Sequence, residues 1–159
     1  MGTVRKNTGM SLIEMIVAIV VVGLAVPALT RNWVDVTLRS ARSEAMADSV
    51  FYGQQLMEEI TAKRFDEELN PPWTPKAQFG PDSGETSKDE FDDVDDFDGY
   101  ANTTADGFTR AVRVDYVGLT GTVWNQVGTE SEFKRIQVSV SKSRVGVQNV
   151  TMATIVGRY

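Results

Sequence analysis

The chain has 159 residues, with 16 basic and 22 acidic side chains and a formal net charge of −6. It contains no cysteine and no histidine, which excludes disulfide bonds, thiolate metal sites and Ser-His-Asp triads. Because the commonest general base is missing, we expect a protein that is not an enzyme. The basic residues form no stripe, so no nucleic-acid partner is predicted either.

The N-terminal segment changes abruptly from polar to apolar. Residues 1–9, MGTVRKNTG, are short, polar and basic, and in the next twenty residues only Ser11 and Glu14 are polar. Twenty helical residues span roughly 30 Å, the thickness of a bilayer core. The pattern predicts a leader at 1–9 and a membrane-spanning helix at 10–31. Composition alone also permits a secretory signal peptide, a plain membrane anchor or a buried soluble helix.

Glu14 separates these alternatives. A carboxylate in an apolar membrane helix costs roughly 2.5–3.5 kcal/mol at mid-bilayer and less near its edge. A passive anchor gains nothing from this charge, whereas a residue that must find a partner has a use for it. A signal peptide would also need a small-residue cleavage site after the apolar run, and Ala25-Val26-Pro27 matches poorly. Glu14 is therefore predicted to be functional.

The sequence Gly9-Met10-Ser11-Leu12-Ile13-Glu14-Met15 resembles the class III signal of type IV prepilins and type II secretion pseudopilins. The resemblance implies that a prepilin peptidase/methyltransferase cleaves between Gly9 and Met10 and N-methylates Met10. It also implies that Glu14, the fifth residue of the mature chain, faces that amine or the amine of a neighbouring subunit and sets the assembly register. Met10 and Ser11 stand where the family usually has Phe and Thr.

The same resemblance predicts where the protein resides. It implies a single pass through the bacterial inner membrane, with a cytoplasmic leader and a periplasmic head, and later a pilus or a periplasmic pseudopilus. The partners would be other pilins or pseudopilins, bound through the N-terminal helix. Gly23 and Pro27 would mark a segment that melts on assembly, although an ordinary proline kink explains them equally well.

A second helical half is expected at 32–65, continuous with the first. Apolar or small residues recur there with a mean spacing near 3.7, which indicates one buried face of an amphipathic helix. These residues are Val34, Leu38, Ala41, Ala45, Ser49, Tyr52, Leu56 and Ile60, with an adjoining stripe at Met46, Val50, Gly53 and Met57. This face is expected to pack against a globular head formed by residues 66–159.

The head is predicted to begin with a long acidic loop at 66–107. In its densest part, DEFDDVDDFDGY at 89–100, apolar residues recur every third position and are expected to anchor the loop while the acids face water. Weak candidate calcium ligands are Asp92, Asp93, Asp95, Asp96 and Asp98. The spacing does not fit an EF-hand, because Val94 and Ala105 would take ligand positions. A solvated loop or a surface for a basic partner is favoured, and no cofactor is expected.

Three strands are predicted in the rest of the head, at 108–119, 133–141 and 147–156, with a turn at 143–146. Their alternation predicts an antiparallel sheet of about three strands with one apolar face. The fold class is therefore α+β, a long N-terminal helix packed on a small sheet, as in the type IV pilin fold that the resemblance implies.

Two internal motifs are similar to minor pilins of the mannose-sensitive haemagglutinin (MSHA) D type. They are Gln54-Gln55-Leu56-Met57-Glu58-Glu59-Ile60 with Arg64-Phe65-Asp66, and the segment from Phe91 to Tyr100. The resemblance favours a minor pilin that initiates, caps or assists assembly of a pilus. The alternatives are a type II secretion pseudopilin and a membrane-anchored acidic or calcium-binding module. A membrane-anchored hydrolase with paired carboxylates has no recognisable motif.

Overall fold

A computed structural model describes residues 9–143 and 149–158. The chain divides into two compact units, the first ending at Ala41 and the second comprising Arg42–Tyr159. Within the described residues one α-helix, α1, runs Leu12–Thr61 and contributes to both units. The predicted helix, 10–65, was longer by two residues at its start and by four at its end. The backbone leaves the helix after Thr61, well before the prolines at Pro71, Pro72 and Pro75.

Five strands form an antiparallel sheet within the described residues, which confirms the α+β class but corrects the predicted count of three. They are β1 (Ala101–Thr103), β2 (Thr109–Thr120), β3 (Val123–Gln126), β4 (Phe133–Ser141) and β5 (Val150–Gly157). Their order is β1-β2-β4-β5, and β3 pairs with the distal end of β2. The bounds of β4 are those predicted, and β2 is displaced by one residue.

The two additional strands are too short for an alternating pattern to reveal them. β3 returns along β2 through a tight hairpin in which Thr120 faces Val123 and Gly121 has a φ of +66°. A positive φ is easily adopted only by glycine, so Gly121 permits this turn. The predicted turn at 143–146 and the predicted start of the last strand at 147 lie largely outside the described residues.

The predicted acidic loop, 66–107, is more ordered than its composition indicates. It contains β1 and three short 3-10 helices, Lys76–Gln78, Lys88–Glu90 and Asp95–Phe97. Ser87 and Glu90 form a capping box around the second of these. Reciprocal caps of this kind satisfy backbone N–H groups that a single turn leaves without partners.

The core of the second unit lies between α1 and the sheet. In that unit the helix buries Ala45, Ser49, Gly53, Leu56 and Ile60, which confirms the predicted stripe there. The sheet contributes Val112, Val114, Ile136, Val138 and Val140. Gly53 permits the close approach, because a Cβ on it would overlap the Met152 methyl group. In the first unit the predicted stripe residues Val34, Leu38 and Ala41 are exposed.

Lys134 is the exception to the alternation of β4. Ile136, Val138 and Val140 are buried as predicted, and Arg135, Gln137 and Ser139 lie on the other face. Lys134 shares the buried face with the three apolar residues and its side chain is completely inaccessible to solvent. It pairs in register with Tyr116 of β2. A fully buried lysine requires opposite charges close to it, and these are supplied by the acidic segment.

Candidate functional site

The cleavage and methylation motif lies at the beginning of α1. Gly9 and Met10 precede the helix and are exposed, and Glu14 lies in its first turn. The helix starts where the Met15 N–H donates to the Ser11 carbonyl at 3.1 Å. A carboxylate in the first turn interacts favourably with the free N–H groups of the helix, which gives Glu14 a local role as well as its predicted one.

The helix surface that follows Glu14 is apolar and exposed. Leu12 is 77% exposed, Leu24 73% and Trp33 78%. Within the described residues, one helix is long and apolar enough to cross a membrane, with a mean hydropathy of 2.7 over its best window. This surface is consistent with membrane anchoring, because exposure of so many apolar side chains to water is unfavourable.

Gly23 and Pro27 are related through the helix hydrogen-bond pattern. Proline has no N–H, so Pro27 leaves the Gly23 carbonyl, four residues earlier, without its helical donor. The Thr30 hydroxyl lies close by and donates to the carbonyls of Val26 at 2.8 Å and Pro27 at 3.0 Å. The helix is unbroken through this segment. Melting of this segment during assembly stays a prediction.

In the head, the two internal motifs lie side by side. Arg64 and Asp93 form a parallel β-bridge, in which the Arg64 N–H donates to Asp92 O at 3.3 Å and the Val94 N–H to Arg64 O at 3.0 Å. The Arg64 guanidinium also pairs with the Asp92 carboxylate. The preceding residue, Lys63, donates to the Phe91 carbonyl at 2.5 Å. The segment after α1 is thus joined to the acidic segment by both backbone and side chains.

Lys134 lies at the centre of this substructure. Its Nζ donates to the Phe65 carbonyl at 2.7 Å, to Asp66 Oδ2 at 2.8 Å and to Asp95 Oδ1. Both carboxylates are almost completely buried with it. Three aromatic rings complete its surroundings, with their centroids 4.5–5.5 Å from Nζ: Phe65, Phe79 and Tyr116. Lys134 therefore occupies a dry pocket formed by the post-helical, acidic and strand segments.

The expectation that the acids face water is wrong for Asp93, Asp95 and Asp96, which are 1%, 4% and 3% exposed. Asp96 Oδ2 accepts the N–H groups of Asp92 and Asp93 at 2.9 and 3.0 Å. Asp93 Oδ1 accepts those of Asp95 and Asp96 at 2.9 and 3.2 Å. These acids are buried because they bind backbone donors or Lys134, whereas the apolar anchors Phe91, Val94 and Phe97 are buried as predicted.

Crowding of carboxylates in this pocket alters their proton affinity. Burial, followed by the negative charges of Asp95 and Asp96, raises the pKa of Asp93 to about 8. Burial also raises the pKa of Asp95, although the Lys134 charge opposes this effect. Burial raises the pKa of the Tyr116 hydroxyl, which donates to the Thr74 carbonyl at 2.9 Å. The acidic segment therefore holds protons that exposed carboxyl groups would release.

The structure brings together two of the five candidate calcium ligands. Carboxylate oxygens of Glu85, Asp92 and Asp96 lie within 4.8 Å of one another. Asp95 instead binds Lys134, and Asp98 accepts Lys76 Nζ at 2.6 Å and the Val114 N–H at 2.8 Å. Calcium binding stays a prediction, and the sequence did not indicate the contribution of Glu85.

Comparison with known proteins gives one match. The prokaryotic N-terminal methylation motif matches residues 4–26, a segment that includes Gly9, Met10, Glu14 and Gly23. No curated protein and no solved structure matches the chain. The motif implies processing by a prepilin peptidase and assembly with pilins in general. Together with the long apolar helix and the α+β head, it supports a type IV pilin-like subunit, of either the pilin or the pseudopilin kind.

Proposed function

We propose that the chain is a minor pilin-like structural subunit of a type IV, MSHA-like pilus, acting in initiation, capping or assembly rather than as an enzyme. Prepilin peptidase removes residues 1–9 on the cytoplasmic side and methylates Met10, and the head is periplasmic until assembly. The observation that carries this proposal is the place of Glu14, four residues after Met10 at the start of an exposed apolar helix.

The chemistry of Glu14 fits such a role. Methylation of the Met10 amine retains its positive charge, so a carboxylate near it remains attractive after processing. An isolated charge in an apolar filament core is expensive, and removal of one partner from a buried pair costs several kcal/mol. A subunit placed out of register would leave Glu14 unpaired, so the pair favours the correct register.

The packing of the two internal motifs supports the MSHA-type assignment. Arg64, Phe65 and Asp66 contact Asp92, Asp93 and Lys134, so both motifs contribute to one substructure of the head. The resemblance of these internal motifs therefore concerns the architecture of the head, about which the N-terminal methylation motif gives no information.

Mass spectrometry of the N-terminus tests the proposal in a bacterium that has a prepilin peptidase. The expected mature chain begins at N-methylated Met10 in both membranes and sheared filaments. Gly9→Val is expected to block processing, and Gly2→Val, a glycine outside the cleavage motif, is the matched control. An intact leader in the wild-type protein would contradict the proposal and leave a plain membrane anchor or an anchored acidic or calcium-binding module.

A deletion strain separates the pilus from the type II secretion system. Loss of pili with normal protein secretion supports the minor pilin. Loss of secretion with normal pili identifies a pseudopilin of the secretion system instead. Complementation with the wild-type chain, and failure of the Gly9→Val variant to complement, connects either phenotype to processing.

A further inference from the structure

We propose that Lys134 and Asp95 condense into an intramolecular amide bond that covalently joins β4 to the acidic segment. Lys134 Nζ touches Asp95 Oδ1, and both side chains are sealed from solvent. Condensation releases water, so a dry site favours the product over hydrolysis. Removal of the pair from water also removes the hydration that stabilises two separate charges, which favours their conversion into a neutral amide.

The acidic side chains around Lys134 have different roles in this reaction. Asp66 accepts three further donors, the N–H and hydroxyl of Thr74 and the N–H of Glu68, at 3.2–3.3 Å. Asp66 Oδ2 lies 2.8 Å from Lys134 Nζ, so Asp66 can accept a proton from the attacking amine. Within the described residues the Asp95 carboxylate, unlike the Asp95 backbone carbonyl, accepts no backbone N–H bond, and it is the better electrophile. Asp93 adjoins Asp95, with its Oδ1 accepting the Asp95 N–H at 2.9 Å, and burial raises the pKa of the Asp93 carboxyl group, so Asp93 can protonate the departing oxygen of Asp95.

The step balances without a co-reactant. The lone pair of Lys134 Nζ attacks Cγ of Asp95, a C–N bond forms, and one C–O bond of the carboxyl group breaks. One proton of the ammonium group stays on the amide nitrogen. The other two leave with the carboxyl oxygen as water, relayed by Asp66 and Asp93, which both return to their initial states. The bond would hold the acidic segment against β4 when the filament is under tension.

The chain offers an internal control for this reaction. Lys76 and Asp98 also form a close pair, with Nζ and Oδ2 2.6 Å apart, but their side chains are 29% and 22% exposed. Water can reach this pair and no aromatic pocket encloses it to the same degree. Lys76 is therefore expected to remain an ordinary lysine.

Mass spectrometry of the purified full-length chain tests the proposal. The expected intact mass, after allowance for leader removal and methylation, is lower than the sequence mass by one water. Trypsin does not cleave after an acylated lysine, so digestion is expected to yield peptide 89–110 joined to peptide 114–135. Cleavage after Lys76 is expected to be complete.

Two variants complete the experiment. Lys134→Arg retains the charge but is expected to restore the sequence mass. Asp95→Asn is expected to form the same amide with loss of ammonia in place of water. A wild-type chain with the full sequence mass and a free 89–110 peptide would overturn the proposal, whether or not the variants fold. A link from Lys134 to peptide 65–76, which contains Asp66, would overturn the assignment to Asp95.

Discussion

Glu14 in the first unit and Lys134 in the second each place a charge on an otherwise apolar face, but they differ in where the opposite charge lies. Lys134 has Asp66 and Asp95 within its own chain. Among residues 9–143 and 149–158, no ion pair involves Glu14, and the helix around it is exposed. The same expensive feature therefore has an internal use in the head, and for Glu14 in the helix we propose an external one.

Because of this difference, Lys134 is expected to affect the folding stability of the head and Glu14 to affect assembly of subunits. A charge whose partners lie in the same chain contributes to folding, so its removal should change the unfolding of the head. A charge whose partner lies in another subunit contributes to association, so its removal should leave folding unchanged. A substitution of Lys134 should therefore change the unfolding of the head, whereas a substitution of Glu14 should change association and leave folding of the head unchanged.

Lys134→Met should give the largest effect, a loss of about 3–5 kcal/mol of unfolding free energy from the unpaired, buried carboxylates of Asp66 and Asp95 alone. Loss of the proposed amide between Lys134 and Asp95 would add to this effect. Urea unfolding of the full chain in detergent, followed by tryptophan fluorescence, measures it. The matched control is Lys76→Met at the partly exposed pair with Asp98, expected to cost about 0–1 kcal/mol. Equal losses of unfolding free energy in the two variants would contradict the difference expected between the buried and the partly exposed lysine.

Leu56→Ala should cost about 2–5 kcal/mol, because Leu56 is fully buried between α1 and the sheet. Leu24→Ala is the matched control in the first unit, where the leucine is 73% exposed, and it should change unfolding of the head by no more than about 0.5 kcal/mol. The same urea titration measures both variants. A large effect of Leu24→Ala on the head would show that the two units do not fold separately.

Glu14→Ala should leave leader cleavage and head stability intact but reduce incorporation into filaments at least tenfold, equivalent to about 1.4 kcal/mol. Immunoblots of sheared filaments and of membranes measure incorporation and cleavage separately. Glu44→Ala, an exposed acid further along α1, is the control. Normal incorporation of the Glu14 variant would remove the proposed assembly role of this charge.

Local patterns were sufficient for the elements with regular periodicity. The alternation in β4 and the stripe containing Ala45, Leu56 and Ile60 were predicted correctly, because burial of apolar side chains repeats with the geometry of a strand or a helix. The cleavage motif could also be recognised from the sequence alone, because its residues are adjacent in the chain.

The buried charges were missed because their partners are distant in sequence. Asp66 and Asp95 precede Lys134 by 68 and 39 residues, and no local pattern connects them. A run of acids normally indicates a solvated surface. One signal was present, since Lys134 is in phase with Ile136, Val138 and Val140, and a lysine on the apolar face of a strand indicates a buried partner.

Asp93→Asn should remove a pH dependence from the head. The pKa of Asp93 is 3.8 as an ordinary carboxyl group and about 8 in the folded protein, so between these values the folded state binds more protons than the unfolded state. Its contribution to stability is therefore complete below pH 3.8 and is lost as the pH rises to about 8. The slope is at most about 1.4 kcal/mol per pH unit for a single proton.

Urea titrations of the wild type and the variant at several pH values between 4 and 8 measure this difference. Asparagine retains the oxygen that accepts the Asp95 and Asp96 N–H groups, so the backbone geometry is preserved while the charge is removed. The variant should gain stability relative to the wild type as the pH rises. If Asp93→Asn and the wild type differed in unfolding free energy by the same amount at every pH, Asp93 would titrate as an exposed acid. The pocket around Lys134 would then admit water.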